Sequence, residues 1–161
     1  MEAEEIQIAT MVCVKRDGKV LMVRGTKPHA PHYGLHNMPG GKLEPSDQGN
    51  LNICAVREVK EETGIDVEEG KLELLGMVEF RGQKKPGSVW RVYIFYTEQS
   101  SGNITHPDAL WVVESDFGNI TLIPGNEIIL SYILRRRQFD AIVEYKDGRY
   151  LRHLISEKPV L

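Results

Sequence analysis

The stretch Arg57-Glu58-Val59-Lys60-Glu61-Glu62-Thr63-Gly64-Ile65 decides the reading of this chain. Glu58 precedes Glu61 by three residues and Glu62 by four, so on a helix all three carboxylates share one face. Like charges at that spacing repel, and an isolated helix gains nothing by collecting them. A hard cation reverses the sign of the interaction. Mg²⁺ takes oxygen ligands, commonly a few carboxylates completed by water and phosphate oxygens. The plain alternative is a solvated charged face, which is the better reading of the three glutamates alone. Their surroundings change the weighing. Arg, three Glu and Gly at fixed offsets recur by chance at about one in a million positions, taking roughly 6% usage for each.

Outward from this stretch, Leu51 to Thr63 is predicted to be a helix, with Leu51, Cys54 or Ala55, and Val59 as its apolar stripe. Asn50 is the expected N-cap, with Asp47 as an alternative. Gly64 suits the left-handed residue after the last turn, with Ile65 as its apolar companion. Upstream, Pro39-Gly40-Gly41 is a turn where backbone can approach phosphate or metal. Ile6 to Val14 and Lys19 to Arg24 read as strands joined at Asp17-Gly18, and Gly25 to Met38 reads as a loop. Leu72 to Phe80, Val89 to Thr97 and Leu110 to Val113 read as further strands, Val89 to Thr97 being central. Asn126 to Arg137 fits a second helix with Ile129, Ile133 and Leu134 inward. Phe139 to Tyr145 and Tyr150 to Ile155 form a closing hairpin about Asp147-Gly148. This order predicts an α/β (α+β) fold, a mixed sheet sandwiched between helices.

The 161 residues fit one domain, 1–161, large enough for a core without disulfides. A net charge of −3 argues against a nucleic acid polymer as partner, and an acidic protein needs metal or a basic pocket to hold polyphosphate. Cys13 and Cys54 lack any metal-binding spacing and read as buried thiols of a reducing compartment. The acidic start, Met1 to Glu5, is unlike a signal segment, and no apolar run is long enough to span a membrane. A cytoplasmic protein, monomeric or homodimeric, is expected.

Gly41 through Ile65 resembles the Nudix box: a glycine, a glutamate after five residues, then Arg-Glu-apolar-any-Glu-Glu-any-Gly-apolar. Pro39-Gly40 and Lys42-Leu43-Glu44 are similar to the family as well. One departure stands out, since Gly41 and Arg57 are two residues farther apart than the pattern allows. Counting from Gly41 puts Asp47 at the first acidic position, and counting back from Arg57 puts Gly49 there. The extra residues belong in the loop Pro45 to Asn50.

The resemblance implies Mg²⁺-dependent, or Mn²⁺-dependent, attack of water on a nucleoside diphosphate linked to some group X. Glu58, Glu61, Glu62 and Gly41 are the implied metal site, and Glu58, Glu61 and Arg57 the implied catalytic residues. Arg57 is expected to pair with a carboxylate and orient it. Glu79 and Glu114 are candidates for a further ligand or base, although a lone Glu at a strand end is more often solvated. Arg24, His36, Gly40 and Asn126 are the substrate-binding candidates.

Leu122 to Glu127 resembles the segment of MutT-like enzymes in which an asparagine contacts an oxidised guanine, and the hairpin from Phe139 to Ile155 resembles the tail of oxidised-purine triphosphatases. Asn126 has two readings of equal weight, a purine contact through its amide or a helix N-cap. His36 stands where relatives place an aromatic residue and is a candidate for stacking on the base. The spacing of His29, His32 and His36 does not suit zinc. Arg135-Arg136-Arg137 reads as a charge cluster at a helix C-terminus, and Trp90 and Trp111 as core residues. The leading expectation is a purine nucleoside triphosphate, intact or oxidised, cut to monophosphate and pyrophosphate. ADP-ribose, a dinucleoside polyphosphate, or nucleotide sensing without cleavage are the alternatives.

Overall fold

Val89–Thr97 alternates between two apolar faces, and this strand, β7, lies at the centre of the sheet, as its β-branched and aromatic content predicts. The computed structural model describes residues 5–30 and 32–159; the acidic run Met1 to Glu4 lies outside them. The strands are β1 (Ile6–Arg16), β2 (Lys19–Arg24), β3 (His36–Asn37), β4 (Gly40–Lys42), β5 (Asp66–Val67), β6 (Glu73–Arg81), β7, β8 (Ser100–Ser101), β9 (Ala109–Val113), β10 (Phe139–Lys146) and β11 (Arg149–Glu157). The helices are α1 (Leu51–Thr63) and α2 (Asn126–Leu134). The large sheet runs β11-β10-β6-β7-β1-β2-β3, with β4 on β1 and β9 on β2. It is mixed: β7 is parallel to β1 and antiparallel to β6, which is in turn parallel to β10.

The two sides of this sheet carry separate apolar clusters. Met11, Cys13, Ile94 and Tyr96 pack with Ile129, Leu130 and Ile133 of α2. Val12, Val14 and Phe95 pack with Ala55 and Val59 of α1. Adjacent strand residues go to opposite clusters because side chains alternate across a strand. The fold is therefore α+β, a mixed sheet between helices.

Helix α1 has the predicted limits. Asn50 Oδ1 accepts from Asn52 N at 2.9 Å and Ile53 N at 3.2 Å, and Gly64 takes the left-handed conformation with φ 86°. Ile65 is fully buried behind it. Helix α2 starts at Asn126 as expected but ends early, and its cap is not the Asn126 side chain. Gly125, at φ 95°, occupies the N-cap, so Asn126 is the first helical residue and its side chain caps nothing. At the far end the helix stops at Leu134. Arg136 adopts φ 52°, its N–H reaches Ile133 O, and Arg137 N–H reaches Tyr132 O. That is a Schellman closure with arginine where glycine is usual. Leu130, not Leu134, completes the buried stripe with Ile129 and Ile133. Trp90 and Trp111 are half-buried at the margins of the two clusters. Cys13 and Cys54 are buried free thiols. Among the described residues no helix is long and apolar enough to cross a membrane.

Candidate active site

Strand β4 carries Gly40 and Gly41 along β1, and α1 packs across it. The approach is close. A Cβ on Gly41 would lie 2.4–2.6 Å from the Glu58 carboxylate, and one on Gly40 would lie 2.0 Å from Thr10 O. Glycine at both positions lets the turn sit against the sheet on one side and the carboxylate helix on the other.

Arg57 is the hub of this face. Its Nε and Nη2 grip Asp47 Oδ1 and Oδ2 at 2.8 and 2.7 Å, while Nη1 donates to Glu58 Oε1 at 2.8 Å and Glu61 Oε2 at 3.2 Å. Asp47 is 1% exposed, and its Oδ2 also accepts from Glu44 N at 2.9 Å. The Arg57 guanidinium holds the Asp47 carboxyl down at about 2. Asp47 thus takes the first acidic position counted from Gly41. The extra residues are absorbed just after it, where Gln48 and Gly49 both turn left-handed, at φ 53° and 73°.

Glu62 faces the turn, accepting Gly40 N–H on Oε1 at 3.0 Å. Burial pushes its carboxyl up to about 7, partly offset by that N–H, with Glu58 and Glu61 adding repulsion. Burial likewise raises Glu58, partly offset by Arg57. Carboxylates pushed toward protonation mark a place short of positive charge. Among the described residues, no three His, Cys, Asp or Glu side chains already converge on one point. Glu58 and Glu61 meet instead at Arg57. The donor set nevertheless fits a hard divalent cation: three carboxylates on one face, the open backbone of Gly41 against Glu58, and in Glu61 a side chain 56% exposed and able to swing.

A groove of about 600 Å³ runs beside this face, with Gly40, Glu61 and Glu62 on its wall together with Arg24, Lys27 and Lys84. It adjoins a cavity of about 110 Å³ lined by Asn37, Met38, Phe80, Trp90 and Asn126. His32, Asn37, Met38, Gly40, Lys84 and Ile123 line both, so the two spaces adjoin along a common wall. Burial lowers Lys84, with Lys27 adding repulsion, and burial followed by Lys84 lowers His32 to about 4. Asn126 is 2% exposed and donates through Nδ2 to Asn37 Oδ1 at 2.9 Å.

Arg24, Gly40, Gly41, Glu61, Glu62 and Asn126 thus line one or other of these two adjoining spaces. His36 is not. Its backbone bonds to Thr121 and Ile123, and its side chain lines neither space; Asn37 and Met38 do so instead. Alternation along β3 turns His36 and Asn37 to opposite sides, which spacing alone did not reveal. Glu79 and Glu114 stand apart. Glu79 is held by Arg81 and Arg91 on the side of β6 opposite Phe80, and Glu114 pairs with Lys15 at 2.6 Å. Reading along the chain missed Asn37 and Lys84, while His32, expected as a surface or pocket residue, lines both spaces. Asn37 and Asn126 are 89 residues apart, so no local pattern joins them.

A family profile described as the NUDIX domain matches residues 5–139. The chain is 25% identical over 134 residues to the uncharacterised Nudix hydrolase YvcI of Bacillus subtilis (strain 168), covering 81% of this chain and 80% of that one. Its fold is similar to the MutT protein of Bacillus halodurans, with a TM-score of 0.79 and 23% identity over 95% of this chain and 99% of that one. It is also similar to the NUDIX domain of Shewanella oneidensis NrtR complexed with ADP ribose, with a TM-score of 0.65 and 17% identity over 84% and 90% of the two chains. With the profile spanning most of the chain and the carboxylate helix laid against a Pro-Gly-Gly turn, this protein belongs to the Nudix family of pyrophosphohydrolases.

Proposed function

We propose that the protein hydrolyses a purine nucleoside triphosphate, intact or oxidised, to the monophosphate and pyrophosphate, residues 1–161 acting as one domain. The observation that carries this reading is the juxtaposition of the groove and the cavity, which share six residues. Carboxylates and basic side chains share the groove, and a small cavity with two amides adjoins it. A phosphate chain needs the first and a flat polar base needs the second.

Glu58, Glu61, Glu62 and the Gly41 carbonyl oxygen are the residues that would hold a divalent cation. When bound, such a cation neutralises charge on the diphosphate and activates the attacking water. Arg57 orients Glu58 and Glu61 through one nitrogen, and Asp47 holds Arg57. Either Glu58 or Glu61 takes the proton from water, Glu58 being the more buried and Glu61 the more exposed. Arg24, with Lys27 and Lys84, offsets charge along the phosphate chain, and Gly40 allows that chain to approach the backbone. Asn126 reads the base. Its side chain caps no helix end, which supports this reading over the N-cap alternative.

The test is pyrophosphate release from a panel of purine, 8-oxopurine and pyrimidine triphosphates, with ADP-ribose and a dinucleoside polyphosphate alongside, with Mg²⁺ and with chelator. Purine triphosphates are expected to lead. Asn126→Ala should shift purine over pyrimidine discrimination by about 1–3 kcal/mol. Cleavage of ADP-ribose or the dinucleoside polyphosphate with no triphosphate turnover would overturn the substrate, and nucleotide binding with no cleavage at all would favour a sensor.

A further inference from the structure

Asn37 Oδ1 accepts two hydrogen bonds, from Met38 N and from Asn126 Nδ2, both at 2.9 Å. A backbone N–H can only donate. The oxygen of Asn37 is therefore fixed toward it, since the flipped amide would set NH₂ against N–H. The same oxygen then dictates the neighbouring amide. Asn126 must present NH₂ to Asn37, which leaves its own Oδ1 as the free end. That oxygen is buried and has no partner among the described residues. Both side chains line the cavity.

A buried acceptor without a donor is unfavourable, and a ligand that supplies the N–H relieves it. A ligand presenting only acceptors meets repulsion at the same place. Sites built in this way reject an analogue that lacks the required group much more strongly than they reject a change of size.

We infer that Asn37 is a positioning residue which locks the Asn126 carboxamide, so that the cavity offers a fixed acceptor and selects bases that present an N–H to it. The inference rests on the cavity being the base site. Asn37 also begins the segment that continues to Gly40, whose N–H holds Glu62. The device that orients the base reader is thus three residues from the carboxylate helix contact, and Asn37 is not itself one of the metal-site residues.

Four ligand pairs test this, the first member of each carrying an N–H donor that the second lacks: adenine against purine, guanine against hypoxanthine, guanine against 1-methylguanine, and 8-oxoguanine against guanine, where the C8 oxygen differs as well. Binding of the nucleoside monophosphates is measured by calorimetry in chelator, where no turnover intervenes, beside kcat and KM for the triphosphates. The wild-type protein should favour the donor-bearing member of at least one pair about tenfold. Asn37→Ala, or near-isosteric Asn37→Leu if the first variant does not fold, should bring that ratio within about twofold. Asn37→Asp keeps an oxygen that accepts both N–H groups and should retain the preference. A ratio unchanged in Asn37→Ala or Asn37→Leu overturns the positioning role, and a wild-type ratio near one in all four pairs overturns the acceptor assignment. Affinities unaltered for every nucleotide in Asn126→Ala overturn the base site itself, a distinct result.

Discussion

Asp47 is a buried carboxylate with no apolar reason to be buried. Two parallel bonds from Arg57 and one from Glu44 N satisfy it, a geometry suited to the planar guanidinium and poorly replaced by lysine. Through Arg57 it also sets where Glu58 and Glu61 stand. Asp47→Asn should therefore cost about 2 kcal/mol or more of stability and lower turnover, measured by urea unfolding and by steady-state kinetics. The pH dependence has a definite sign. The folded carboxyl titrates at about 2, below its ordinary 3.8, so its stabilisation is complete above 3.8 and is lost as pH falls through about 2. The stability gap between wild type and Asp47→Asn should be constant from pH 5 to 7 and close toward pH 2. A gap that stays constant to pH 2 would show that the ion pair is not its source.

Helix α1 and strand β4 form one functional element, because the turn fits only if its residues lack side chains. The two glycines fail differently when substituted. At Gly40 an added methyl meets the β1 backbone, which cannot retreat without breaking the sheet. At Gly41 the nearest atoms it meets are those of the Glu58 carboxylate, a side-chain end that can shift. Gly40→Ala should lower the melting temperature sharply, whereas Gly41→Ala should fold near normally and lose turnover by an order of magnitude or more. Similar losses of stability in both variants would refute this division of roles. Helix α2 shows the converse situation, in which an element ends without a local signal. Arg135, Arg136 and Arg137 continue a helical pattern, yet Arg136 turns left-handed, where Glu73 takes its guanidinium at 2.7 Å and the Tyr96 ring lies beneath it. Tertiary contacts offset the strain that glycine would have avoided.

Across the whole molecule, the sheet separates an α2 side, which packs the larger apolar cluster and brings Asn126 to the cavity, from an α1 side that adds the acidic face, and the groove lies where that face meets Arg24, Lys27 and Lys84. Nudix hydrolases generally use divalent metals, and this charge distribution makes a cation stabilising. Mg²⁺ or Mn²⁺ should be required for hydrolysis and should raise the melting temperature in a concentration-dependent way. Glu61→Gln and Glu62→Gln should abolish most of that rise and reduce turnover by orders of magnitude; full activity after exhaustive chelation would defeat the mechanism. Without metal, Glu62→Gln should act the other way on stability. The carboxyl titrates at about 7, above its ordinary 4.5, so its ionisation opposes folding increasingly from pH 4.5 to 7, and the variant should be the more stable protein at pH 8 in chelator. Sequence by itself determined the limits of α1, its Asn50 and Gly64 caps, the Asp17-Gly18 and Asp147-Gly148 hairpins and the shared face of Glu58, Glu61 and Glu62. These features depend on residues within about one or two turns of chain, where spacing and backbone preference act directly. Tertiary structure alone decided that Asp47 and not Gly49 meets Arg57, that Asn126 leaves the N-cap to Gly125 and bonds Asn37, and that His36 yields the cavity to its neighbours. Each of these is a choice between local options of similar energy, settled by what the distant chain brings alongside.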